Sequence, residues 1–280
     1  MSWKLSVSFL LLVSCVSAGI GFLLALPVSP SLDIGYCSNT VNSSDWAGYV
    51  VSSDFQTPQP VVTGVNASWR IPRIKNSSEN TYSAMWVGIG GFFDDTLIQA
   101  GSTQAYVNNY EIYTVWYELL PTEAITIAFF RIHPGDEMTV AIQLVNSTSN
   151  LWSIDIYDRT NGERFTETFT YASSQFSAEW IVERPEINGQ TSVLADFGNV
   201  TFSGSHAMLL NQTHTIRGYP FNAVSMTTHK SVLATVSPLS DNGATFTVKY
   251  IARSTSASYL QPLIIIASIL GLLLVTGKRH

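Results

Sequence analysis

The sequence predicts an all-β protein: a two-sheet antiparallel β-sandwich, preceded by a signal or anchor segment and followed by a transmembrane helix. Three observations predict the sandwich. Short runs alternate apolar and polar residues with a period of two, as in Trp152, Ile154 and Ile156 against Ser153, Asp155 and Tyr157. Turn-forming clusters separate such runs, as at His133-Pro134-Gly135-Asp136, Asn161-Gly162 and Asp241-Asn242-Gly243. No long stretch between residues 45 and 251 holds a 3.6-residue period.

Taken in order, residues 1–26 open with Lys4 and then an uncharged, mostly apolar run. Read one way this is a signal peptide with a Val16-Ser17-Ala18 cleavage site; read another, it is long enough to remain as an anchor. Residues 27–44, rich in Pro, Ser and Asn, read as a lead-in. Residues 45–252 form the sandwich domain. Within it Ile125, Ile127 and Phe129 alternate with Thr126 and Ala128, and Phe246, Val248 and Tyr250 with Thr247 and Lys249, so both stretches read as strands. The Asn161-Gly162 pair between Arg159 and Phe165 reads as a hairpin turn. Residues 253–258 are a Ser-rich linker, and residues 259–276 approach the length needed to span a bilayer. The tail, residues 277–280, holds Lys278 and Arg279, which place that end in the cytoplasm and the domain at the outer cell surface. Contact with membrane lipid is therefore expected through the C-terminal helix, and the chain is expected to be a monomer.

Only 12% of the 280 residues are charged, about half the usual share, with Ser, Thr and Asn supplying polarity instead. No basic patch stands out, which argues against nucleic acid as a partner. Beyond Cys15 in the leader only Cys37 remains, so no intrachain disulfide is available and thiolate metal sites are excluded. Six Asn-x-Ser/Thr sequons, at Asn42, Asn66, Asn76, Asn146, Asn199 and Asn211, agree weakly with export.

Several chemistries drop out by motif. His133, His206, His214, His229 and His280 show no metal-ligand spacing. There is no Gly-x-Ser-x-Gly elbow and no Asp-Thr/Ser-Gly pair, and Gly88-Ile89-Gly90-Gly91 lacks a following helix. No metal or other cofactor is expected. What remains are polar and aromatic residues on strands with apolar neighbours. Trp116 and Glu118 share one face of residues 114–120, opposite Val115, Tyr117 and Leu119. Glu179 shares a face with Ser177, Ile181 and Glu183, opposite Ala178, Trp180 and Val182. Gln99 points away from Ile98 and Ala100. Alternation alone is equally met by a half-buried sheet with solvated carboxylates.

Six motifs carry more information. Asp45-Trp46-Ala47-Gly48-Tyr49, Met85-Trp86-Val87-Gly88-Ile89, Leu97-Ile98-Gln99-Ala100-Gly101 and Val115-Trp116-Tyr117-Glu118 follow one another in the first half. Ala178-Glu179-Trp180-Ile181-Val182-Glu183 comes next, then Ala195-Asp196-Phe197-Gly198 with Val200-Thr201-Phe202. In this order they resemble the motifs of the glutamic peptidases, or eqolisins. The resemblance spans nearly all of residues 45–250. It implies a sandwich similar to those of legume lectins and glucanases, and an acid endopeptidase acting on polypeptides. It also implies a catalytic Gln99 and Glu179, with Trp86, Trp116 and Glu118 lining the cleft and orienting the pair. In that family chemistry a glutamate activates water as general base, and a glutamine holds the water and donates to the oxyanion.

Two positions depart from the family pattern. Gly90 stands where an acidic residue is common, leaving Asp94 or Asp95 as stand-ins, and Leu120 stands in place of an aromatic residue. Membrane anchoring is also unlike the better-known secreted members. Two rival readings use the same fold: a non-catalytic surface binding module, and a retaining glycosidase with Glu118 and Glu179 as its carboxylate pair.

Overall fold

The computed structural model describes residues 39–252. The first half contains β1 (Asn39–Ser43), β2 (Trp46–Ser52), β3 (Val62–Arg70), β4 (Thr81–Gly90), β5 (Leu97–Val107), β6 (Tyr110–Leu119) and β7 (Ile125–Thr126). There follow β8 (Glu137–Asn146), β9 (Leu151–Asp158), β10 (Arg164–Thr170), β11 (Ser177–Glu183), β12 (Glu186–Ile187) and β13 (Gln190–Thr191). The chain closes with β14 (Asn199–Leu209), β15 (Gln212–Thr215), β16 (Phe221–Thr227), β17 (Val232–Val236) and β18 (Phe246–Tyr250). Short 3-10 turns at Ile216–Gly218 and Asp241–Gly243 are the helical elements among the described residues.

The strands make an antiparallel sandwich. One sheet runs β18-β17-β16-β2-β11-β4-β5-β6-β7, and the other is built on β10-β9-β8-β3-β14. Strand β14 belongs to both. Its first residues, 199–202, pair with β18, and the rest pair with β3 and β15. The switch falls at a register shift between Ser203 and His206, where Gly204 takes φ +59°. Such a bulge bends a strand enough to turn it from one layer into the next.

The inter-sheet core follows the alternation expected from sequence. Ala178, Trp180 and Val182 of β11 face it, with Met85 and Val87 of β4 and Val115 of β6. Two buried indoles stitch the layers: Trp180 Nε1 donates to the Asn66 carbonyl at 2.9 Å, and Trp69 Nε1 to Ser102 Oγ at 3.4 Å. Each satisfies a donor that would otherwise be lost to burial.

Three local expectations change. Residues 125–129 are not one strand: β7 stops at Thr126, Ile125 and Phe129 are exposed, and only Ile127 is buried. Its period-two pattern comes from a turn that follows two paired residues. The sandwich also reaches into the segment read as lead-in, because β1 pairs in parallel with β16 along Asn39–Ser43. Finally, the outer face of the larger sheet is not simply polar. Val50, Ala84, Trp86, Leu97, Trp116, Ile181 and Val224 form a second buried apolar group there. Hence β4 and β11 are buried on both faces, the pattern of a covered rather than half-solvated sheet.

Among the described residues no helix is long and apolar enough to cross a membrane. The segments expected to do so, residues 1–26 and 259–276, lie outside the described residues, as do the linker and tail.

Candidate active site

The second apolar group is the floor of a cleft, and one cross-strand row of side chains stands on it. Glu179 of β11 pairs with Gly88 of β4, Gly88 with Gln99 of β5, and Gln99 with Glu118 of β6. Residues in register on adjacent strands point to the same face, so Glu179, Gln99 and Glu118 project together. Glu179 and Gln99 are two strand spacings apart, about 10 Å between Cα atoms. The intervening residue, Gly88, adds no side chain of its own between them. A Cβ at Gly88 would lie 2.9 Å from Leu97 Cδ1, 3.0 Å from Trp86 Cζ3 and 3.2 Å from Gln99 Cβ. The Trp86 indole edge therefore lies against Gly88 as part of the floor.

The polar atoms here are buried and incompletely paired. Glu179 is 0% exposed and Gln99 5%. Gln99 Nε2 donates to Glu118 Oε2 at 2.5 Å, while Gln99 Oε1 and both Glu179 carboxyl oxygens have no protein partner. Native folds rarely leave three such oxygens together unless a ligand or water serves them. Burial pushes the Glu179 carboxyl well above its ordinary range. The nearby Ser177 hydroxyl opposes this without reaching hydrogen-bonding geometry, and the Asp94 charge adds to it. Glu118 is also raised by burial, against the pull of the Gln99 amide and the Ala124 backbone.

A cavity of about 460 Å³ opens beside the row, bounded by Gln99, Trp116, Glu118, Leu120, Trp46 and Glu183 among others. Trp116 is 7% exposed and borders the cavity, and its buried Nε1 has no protein partner. Trp86 behaves differently from the expectation. It is fully buried, packs edge-on against Trp46 at 5.1 Å, and donates Nε1 to Glu183 Oε2 at 2.7 Å. It thus supports the cleft from below instead of lining it.

Glu183 is a residue that motif reading left without a role. It shares the Glu179 face, borders the cavity, and has its carboxyl pushed up to about 7 by burial, with Asp45 and Glu118 adding to the effect. Its side chain keeps some accessible surface although the carboxyl is hemmed in on nearly all sides. Gly88 lies within Met85-Trp86-Val87-Gly88-Ile89. A glycine within a strand is the signal of a close approach.

The departures from the family pattern now have a structural setting. Gly90 takes φ +91°, and a Cβ there would lie 2.3 Å from the Thr96 carbonyl oxygen. An acidic residue at this position is incompatible with this backbone. Asp94 accepts from the Thr96 backbone N–H and hydroxyl, each at 2.8 Å, so it is committed to its own turn. Leu120 lines the cavity, and its carbonyl accepts from the Tyr171 hydroxyl at 2.9 Å while that oxygen accepts from Leu97 N–H at 2.7 Å.

The glycosidase reading gains no support from the row. Glu118 and Glu179 are three strands apart, about 14 Å between Cα atoms, and Gln99 stands between them and donates to Glu118 Oε2.

Comparison with known proteins agrees with the fold and the motifs. Aspergillopepsin-2 from Aspergillus niger is 29% identical over 194 residues, covering 63% of this chain and 68% of that protein. Aspergilloglutamic peptidase from the same organism is 27% identical, with a TM-score of 0.55 over 61% of this chain and 99% of its own. Scytalido-glutamic peptidase, solved with a peptide-based transition-state analogue, shares the fold at 20% identity. Its TM-score is 0.61, over 75% of this chain and 99% of its own. The peptidase A4 family model matches residues 44–250, nearly the whole sandwich, so the chain belongs to the peptidase A4 family and is an endopeptidase of the glutamic type.

Proposed function

We propose that the chain hydrolyses polypeptides at acid pH through Glu179 as general base and Gln99 as oxyanion donor. The observation that carries this reading is the shared row, in which Gly88 adds no side chain of its own between the two. A water held over Gly88 meets the unpaired oxygens of both residues. It donates to the Glu179 carboxylate and so restores hydrogen bonding that burial removed, which favours the ionised form needed of a base. Glu179 takes a proton from this water as its oxygen attacks the scissile carbonyl carbon. One Nε2 hydrogen of Gln99 is held by Glu118, and the other is available to the developing oxyanion. Glu179 then returns the proton to the leaving amine, and the C–N bond breaks. An amide donor keeps its hydrogens at acid pH, where a histidine base would be protonated. Trp116 offers Nε1 to a substrate carbonyl. A non-catalytic binding module has no need of this buried, half-satisfied row, which costs stability.

Single turnover in ¹⁸O-water tests the direct role of water. The label is expected in the new product carboxylate alone. Label in the Glu179 carboxyl would mean that Glu179 attacks the substrate itself.

The apolar run at residues 263–275, followed by Lys278 and Arg279, supports an anchored peptidase facing outward. Protease treatment of intact cells should release the domain; recovery in the soluble fraction after gentle lysis would contradict anchoring.

A further inference from the structure

The catalytic row continues past Glu179, through Val50 of β2, to Asn222 of β16. Asn222 is 5% exposed, and its Oδ1 has no hydrogen-bond partner. Val224, two residues along the same strand, belongs to the cleft floor, so Asn222 lies on the cleft face. A second cavity, of about 480 Å³, opens on this side between Val41, Trp46, Phe92 and Val224. Trp46 borders both cavities. The two cavities meet at Asp45 and Trp46, one on the Gln99 side of the row and one on the Val224 side, and an extended chain lying across the strands from one to the other runs alongside the row. Two strand spacings, about 10 Å, separate Glu179 from Asn222, the length of about three extended residues.

We propose that Asn222 is a substrate-positioning residue, whose amide hydrogen-bonds a peptide unit of the bound chain about three residues from the scissile bond. This rests on the peptidase reading above. A carboxamide is suited to the task because it both donates and accepts, as a peptide unit does. The occupant of the second cavity is then the part of the polypeptide substrate lying on the Glu179 side. The apolar walls given by Phe92, Trp46 and Val224 suit an apolar side chain of that segment.

The test uses the full chain and peptides with one fixed scissile pair, extended by one to four residues on either side. Wild type, Asn222→Ala and Asn222→Leu are compared by kcat/KM; the leucine variant removes the amide while filling the space. A loss of about threefold to tenfold is expected. It should appear in only one of the two extension series, and only once the third residue is present. A loss equal at every length, as from a packing defect, would overturn the proposal, and so would no loss on the longest peptide. Absence of cleavage by the wild-type chain would instead overturn the peptidase reading, and this proposal with it.

Discussion

Glu179 and Gln99 are both in register with Gly88, one on each side, so the residue between them presents no side chain of its own. The proposed catalytic geometry therefore depends on a residue with no chemistry of its own.

Gly88→Ala should damage activity more than stability. The added methyl meets Leu97, Trp86 and Gln99 at 2.9–3.2 Å. It shifts the Gln99 side chain and intrudes where water must sit. Misplacement on this scale typically costs about 10²-fold in kcat. Circular dichroism and thermal melts should show a fold kept to within several degrees. Full activity would mean that the space over Gly88 is not the reaction site.

Stability should fall as pH rises. The fold raises Glu183 from 4.5 to about 7, and raises Glu179 as well. A carboxyl that holds its proton more tightly in the fold contributes stability that is complete below its unfolded pKa. That contribution is lost as pH climbs through the folded value. Melting temperature should drop by on the order of 5–10 °C between pH 4.5 and 7.5. Glu183→Gln keeps an acceptor for Trp86 Nε1 and should flatten part of the slope. A melting temperature that rises over this range would contradict the burial of these carboxyls.

Trp116 should act through its indole N–H as well as its bulk. Trp116→Phe keeps an aromatic wall but removes the unpaired, buried donor of this cavity-lining residue. A loss of about threefold to tenfold in kcat/KM is expected, with Trp116→Ala losing more. Equal activity in wild type and Trp116→Phe would leave that donor without a substrate partner.

Much of this arrangement is legible in the sequence. The strand over residues 177–183 and its two faces follow from strict alternation, because Ala178, Trp180 and Val182 fill the inter-sheet core. The same holds for Trp116 and Glu118 against Val115. What alternation does not encode is which distant strands become neighbours. That Glu179, Gly88 and Gln99 share a row depends on pairing between segments far apart in the chain. Nor did it reveal that the opposite face is covered, so Glu179 is buried and not solvated. Asn222 and Glu183 went unassigned for the same reason: each gains meaning only from its neighbours across the sheet. The stretch at Ile125–Phe129 shows the converse, where a local pattern matched a strand and the chain turned instead.

Glu179 is the proposed base. Glu179→Gln keeps the shape of the side chain, removes its ability to take a proton, and spares the fold a buried carboxyl. Hydrolysis of a denatured protein at acid pH by the full-length chain, with the melting temperature measured alongside, tests this most directly. A fall of about 10²–10⁴-fold or more in kcat is expected, with a melting temperature equal to or above that of wild type. Turnover close to wild type in a folded Glu179→Gln protein would contradict it.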